Sequence, residues 1–103
     1  RFVLNRKPVI PISFALHQNF PNPFNPVTIL RYDLPKQSFV TIYIYNMLGK
    51  LIKVLVNNNQ DPGYRSVEWD ATDFMGKPVS VGVYLYQIQA GKFVQSKKMV
   101  LLK

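Results

Sequence analysis

From Val27 to the C-terminus, stretches of alternating apolar and polar residues are cut about every 8–12 positions by turn-forming residues, and no stretch carries a helical repeat. A period of two puts successive side chains on opposite faces of an extended chain, so each run can bury one face and wet the other. Such runs have to stack in layers. The clearest is FVTIYIY, residues 39–45, in which Val40, Ile42 and Ile44 share one face and Thr41, Tyr43 and Tyr45 the other. Further runs cover 27–34, closed by Pro35, then 51–56, 64–70, 83–90 and 93–102. In 64–70, Arg65, Val67 and Trp69 alternate with Ser66, Glu68 and Asp70, and in 83–90 Tyr84, Tyr86 and Ile88 fall together. The pattern predicts an all-β fold, an antiparallel β-sandwich of six to seven strands. Its expected core contains Val40, Ile42, Ile44, Val67, Trp69, Tyr84, Tyr86 and Ile88.

The connections carry their own chemistry. Asn46-Met47-Leu48-Gly49 reads as a turn with Gly49 at positive φ. Asn57–Gly63 reads as a polar loop closed by Asp-Pro-Gly, and Ala71–Val79 as a loop holding Gly76 and Pro78. Gly91-Lys92 has glycine first, as a two-residue type II′ hairpin prefers.

Ahead of the first run the chain changes character. Residues 1–15 form an arm with two apolar patches split by Pro8 and Pro11: a linker, an edge strand or a strand donated to another copy. NFPNPFNPVT, residues 19–28, then places three prolines within six positions. Proline fixes φ and removes a donor, so neither a helix nor a central strand survives there. Asn22, Pro23, Phe24, Asn25 and Pro26 form a stiff lead-in motif, and Phe20 and Phe24 are costly to leave in water. Both are expected to pack against the sheets.

The chemical inventory is thin for an enzyme. The 103 residues include no cysteine, which removes disulfides and thiolate metal sites, and one histidine, His17, expected at the surface. Glu68 and Asp70 lie about 7 Å apart on one strand face, the spacing of any solvated strand. Asp70 and Asp73 bracket a turn and are expected to bond their own loop backbone rather than a weakly held calcium ion. No catalytic residue, metal or cofactor is expected. The net charge is +8, but the 13 basic residues are scattered, with only Arg6-Lys7 and Lys97-Lys98 adjoining, so nucleic acid is not an expected partner. No apolar run reaches the length of a membrane helix, so any membrane association would be indirect. Tyr43 and Tyr45 offer an alternative role, a sugar-stacking platform.

Four segments in order, NFPNPFNPVTILRYDLP, VTIYIYNMLGKLIKVL, GYRSVEWDATDFMGKPVSVGVYLYQI and KKMVLLK, resemble the C-terminal sorting domain of the type IX secretion system. They resemble equally the related immunoglobulin-like domain of flagellar hook-capping proteins. The resemblance spans residues 16–103 and implies an immunoglobulin-like sandwich, with residues 1–15 outside it. In such domains the Asn-Pro-Phe-Asn-Pro motif leads from a linker into the first strand, and Phe20 and Phe24 would plug the end of the sandwich. The implied role is to carry a cargo, already across the inner membrane, over the outer membrane of a Gram-negative bacterium. The implied partners are the type IX machinery and a sortase-like surface peptidase, with the cargo left on the cell surface or in the medium. The recognition features map onto Gly82, Val83 and Tyr84, and onto Lys97, Lys98, Met99, Val100, Leu101, Leu102 and Lys103. An edge strand there would expose unpaired backbone to a receptor, its lysines discouraging unwanted pairing. A start at Arg1 suggests a piece of a longer protein, and a C-terminal lysine suits a sorting tail better than a hook-cap domain. The competing reading is a surface fibre in which residues 1–15 add a strand to a neighbouring copy.

Overall fold

The computed structural model describes residues 9–102; residues 1–8, most of the arm, and residue 103 lie outside the described part. Seven strands follow in order: β1 (Ala15–Leu16), β2 (Thr28–Leu34), β3 (Ser38–Asn46), β4 (Leu51–Gln60), β5 (Gly63–Trp69), β6 (Gly82–Ala90) and β7 (Phe93–Leu101). They form two antiparallel sheets, β1-β2-β5 and β4-β3-β6-β7. The all-β sandwich read from the alternation is the fold.

The period-two code places the core directly. On β2, Thr28, Leu30, Tyr32 and Leu34 are buried, and Val40, Ile42, Ile44, Tyr86, Ile88 and Ala90 are buried on the other sheet. Trp69 and Tyr84 are buried too, their rings 5.4 Å apart and edge-on, which adds to their area burial. Val67, expected in the core, is only half-buried, because β5 is the outer strand of its sheet.

Two departures have clear causes. Asn57–Gln60, read as loop, continues β4 and pairs with Ser38–Thr41, leaving only Asp61 and Pro62 between β4 and β5. Asparagine has poor intrinsic strand propensity, but a ready-made partner strand overrides it. Gln60 is also held from the opposite sheet, its side-chain oxygen accepting the Tyr32 hydroxyl at 2.6 Å. Within β4 the register against β3 slips between Ile42 and Tyr43 and again between Ile44 and Tyr45. The extra residues are Leu55 and Ile52, and both pack against the core. Bulged residues break the alternation, which is why β4 reads less cleanly than β3.

Phe20 corrects the expectation of a double aromatic plug. Phe24 is 2% exposed, whereas Phe20 is 68% exposed. Phe20 exchanges two backbone hydrogen bonds with Ile29, at 3.0 and 2.9 Å, and its ring faces solvent.

Candidate functional site

The residues singled out on β6 and β7 are neighbours: Gly82 pairs with Leu101, Val83 with Val100 and Tyr84 with Met99. β7 is the last strand of its sheet, so alternate residues turn their N–H and C=O groups away from β6. Over the end of the strand these groups are taken. Phe24 donates its N–H to the Val100 carbonyl at 2.9 Å and accepts the Leu102 N–H at 2.9 Å. The Asn22 side-chain oxygen accepts the Val100 N–H at 2.9 Å, and the Gln18 amide donates to the Lys98 carbonyl at 2.7 Å. The lead-in motif is a clamp on the terminal strand.

This corrects the expectation of a fully open terminal edge. Phe24 buries its ring against Trp69, with centroids 5.9 Å apart, and that packing lays its backbone alongside β7. No such bond reaches the outward-facing backbone of Val94 or Ser96 among the described residues, so the open part of the edge lies at the other end of the strand. Met99 and Leu101 are buried, Lys97 and Val100 are half-buried, and Val83, Lys98 and Leu102 are exposed. Lys103 lies outside the described residues.

Beneath the clamp runs a buried polar network. The Asn19 N–H donates to the Tyr86 hydroxyl at 2.8 Å, and that hydroxyl donates to the His17 carbonyl at 2.7 Å. The Asn19 side-chain amide donates to the Thr28 hydroxyl at 3.0 Å and to the Pro21 carbonyl at 3.2 Å, while the Thr28 hydroxyl donates to Pro21 at 2.8 Å. The proline run supplies few donors of its own, and these side chains satisfy what the irregular backbone leaves over. Burial pushes the Tyr86 hydroxyl up to about 12. Sequence reading missed Asn19 and gave Tyr86 only a packing role. The available signal was a tyrosine on the core-facing side of its strand, beside Tyr84 and Ile88, whose buried hydroxyl requires a partner.

The remaining polar side chains are engaged locally. His17 Nε2 lies 2.9 Å from Asp33 Oδ1 at the surface. The Asp73 carboxylate accepts the N–H groups of Met75 and Lys77 at 2.9 and 3.0 Å, and the Lys77 bond is the main reason its pKa lies below the ordinary carboxylate value. The Thr72 hydroxyl, donating to Asp70 at 2.5 Å, lowers Asp70 in the same way. Among the described residues no three His, Cys, Asp or Glu side chains gather to hold a metal. Tyr43 and Tyr45 sit side by side with centroids 5.9 Å apart, but their rings are tilted by 36° and both are half-buried.

A sequence model described as the secretion system C-terminal sorting domain matches residues 18–102. The chain belongs to this family. It is a sorting domain of type IX secretion, which directs a cargo to the cell surface or medium. No curated protein matches the chain. Among solved structures, the sorting domain resembles part of dimeric latent PorU from Porphyromonas gingivalis, with a TM-score of 0.70 and 21% identity over 91% of this chain. It also resembles part of PorZ, an essential surface component of the type IX secretion system of the same organism, with a TM-score of 0.60 and 18% identity over 85% of this chain. At these identities the likeness is one of fold. The sorting domain spans only 10% and 11% of those two chains.

Proposed function

We propose that the exposed face of the clamped C-terminal segment is read by the type IX machinery at the outer membrane of a Gram-negative bacterium, and that a sortase-like surface peptidase then removes the tail. The tail itself performs no catalysis. The clamp supports this reading: a segment fixed at both strands and by Phe24 presents a fixed pattern to a receptor, and little ordering entropy remains to be lost on binding. Tyr84, Met99 and Leu101 serve the core, so the residues available to a receptor are Val83, Lys97, Lys98, Val100 and Leu102, with Gly82 shaping the strand start.

The test fuses the whole chain behind a folded periplasmic reporter, in a type IX-competent host and in the same host lacking the translocon. The tailed reporter is expected outside the cell only when tail and translocon are both present, and a Lys97→Glu/Lys98→Glu pair is expected to lower export without lowering the melting temperature. Deleting the segment would also remove Met99 and Leu101 from the core, so charge reversal is the cleaner probe. A tailed reporter retained in the periplasm, or exported equally without the translocon, overturns the reading.

Strand addition is a second reading with its own observation. Val9, Ile10 and Ile12 are exposed β-formers, Ile12 at 99%, and the arm meets β7 at its open end, where Phe14 stacks on Phe93 at 5.2 Å. Residues 1–8 of that arm lie outside the described part. Association on light scattering that disappears when residues 1–12 are removed would support a fibre, and a strict monomer in both forms would exclude one.

A further inference from the structure

Two turns of the sandwich are copies of one another. Asn46-Met47-Leu48-Gly49-Lys50 joins β3 to β4, and Asp73-Phe74-Met75-Gly76-Lys77 lies between β5 and β6. In the first, the Asn46 side-chain oxygen accepts the N–H groups of Leu48 and Lys50, both at 3.0 Å. In the second, the Asp73 carboxylate does the same for Met75 and Lys77. In both, the first residue donates its N–H to the carbonyl of the fifth, and the glycine donates back to the first. The two glycines hold φ of 84° and 76°, where a side chain would be strained. Each turn satisfies its polar groups internally and directs two large apolar side chains into water. Met47, Leu48, Phe74 and Met75 are all exposed, Leu48 at 94%.

Both turns lie at the end of the molecule where the C-terminal strand finishes. Asn46 faces Tyr84 across β3 and β6, and the Lys53 ammonium on β4 donates to the Thr72 hydroxyl at 2.8 Å, tying the strand that leaves the first turn to the loop that carries the second. The loop carrying the second turn also walls a cleft of about 490 Å³, lined by Pro26, Ala71, Pro78, Val79 and Leu101 among others. Val81 and Leu102, both exposed, stand at its rim. One exposed apolar residue is ordinary, but six large ones at one end of the molecule, with Val81 and Leu102 lining an apolar cleft there, mark an interaction surface. Lys50 and Lys77 close the two turns, and neither has an ion partner among the described residues, where the one such pair is His17 with Asp33. The nearby carboxylates of Asp70 and Asp73 bond to their own loop, and Lys77 acts on Asp73 through its charge without pairing to it. Two lysines fall short of the roughly 4–8 that hold a segment to an anionic membrane, and a lipid surface has nothing to seat in a cleft.

We propose that this end of the sandwich docks a protein that inserts an apolar anchor side chain into the cleft, covers the twin turns, and sets carboxylates against Lys50 and Lys77. The inference rests on the sorting reading and makes that partner a component of the export apparatus, gripped at a surface broader than the terminal strand.

The experiment uses the whole chain behind the same reporter. Leu48→Ser/Met75→Ser and Lys50→Glu/Lys77→Glu are each expected to lower export by about tenfold or more, as loss of a buried anchor or its charge partners does at an interface. The melting temperature stays unchanged, since all four side chains point outward. Phe39→Ser/Tyr64→Ser, also exposed but elsewhere, is expected to export normally. Leu48→p-benzoylphenylalanine is expected to crosslink, on illumination, to an export component identified by mass spectrometry. If the unaltered tail exports and both twin-turn pairs export equally well, the docking surface is wrong while the sorting reading stands. If the unaltered tail is not exported, the sorting reading fails and this inference falls with it. Flotation of the chain with phosphatidylglycerol vesicles, abolished by Leu48→Ser/Met75→Ser, would replace the protein partner by a membrane and overturn the proposal.

Discussion

Asn19 and Tyr86, 67 positions apart, are joined inside the protein by a 2.8 Å hydrogen bond from the Asn19 backbone to the Tyr86 hydroxyl. The same hydroxyl donates to the carbonyl of His17, so one side chain of β6 fixes the chain on both sides of Gln18, just where it enters the proline-rich lead-in. Tyr86→Phe keeps the packing and removes both bonds, leaving a buried donor and acceptor without partners. The expected cost is about 1–3 kcal/mol in urea unfolding. The lead-in should also become the most susceptible site to limited proteolysis.

The hydroxyl makes a second, pH-dependent prediction. Its folded value is raised from 10.0 to about 12 by burial, while in the unfolded chain it titrates at its ordinary value. Between those values the unfolded state loses a proton that the folded state keeps. Its contribution to stability is therefore complete below pH 10 and is lost as pH rises toward 12. Unfolding free energy measured across this window should fall, and fall less steeply in Tyr86→Phe. Some slope remains in the variant because burial also raises Tyr32.

Phe24 and Phe20 separate the clamp from mere hydrophobicity. Phe24→Ala opens a cavity beside Trp69 and frees the backbone that caps β7, with an expected loss of about 3–5 kcal/mol. Phe20→Ala removes a ring already in solvent and should stay within about 0.5 kcal/mol of the parent. Equal effects in calorimetry would mean that Phe24 does not anchor the terminal strand.

These residues also show what a one-dimensional reading can reach. Strand identity was legible because β2, β3, β5, β6 and β7 each bury one face, and a period of two records that face residue by residue. β4 was harder, because bulges at Leu55 and Ile52 break the period and Asn57–Gln60 become strand only through pairing with β3. The pairing of Gly82–Tyr84 with the terminal strand follows from the tight turn at Gly91-Lys92, which sets the register of β6 on β7. The clamp was not legible. Its bonds run from residues 18–24 to residues 98–102, and nothing local in an Asn-Pro-Phe segment states which distant edge it will cap. Phe20 was misread for a related reason: composition says that a phenylalanine prefers burial, but only the backbone bridge to Ile29 decides which way it faces.

The twin turns supply their own control for an acid-side prediction. Asp73 and Asn46 do the same work, each accepting two backbone N–H groups through one side-chain oxygen, but only Asp73 titrates. Hydrogen bonds from the Lys77 and Met75 backbone favour its charged form and hold its folded value below the ordinary 3.8. A depressed carboxylate contributes stability that is present above its unfolded value and lost as pH falls through the folded one. Asp73→Asn should therefore match the parent near neutral pH, because Asn46 shows that an amide closes this turn. On acidification below about pH 4 the parent should lose more stability than the variant. Asp73→Ala lacks the acceptor and should be weaker than both at neutral pH. Urea unfolding of the three proteins at pH 7 and pH 3 reads the difference directly. Parallel acid losses in the parent and Asp73→Asn would show that the carboxylate's charge contributes nothing to the turn.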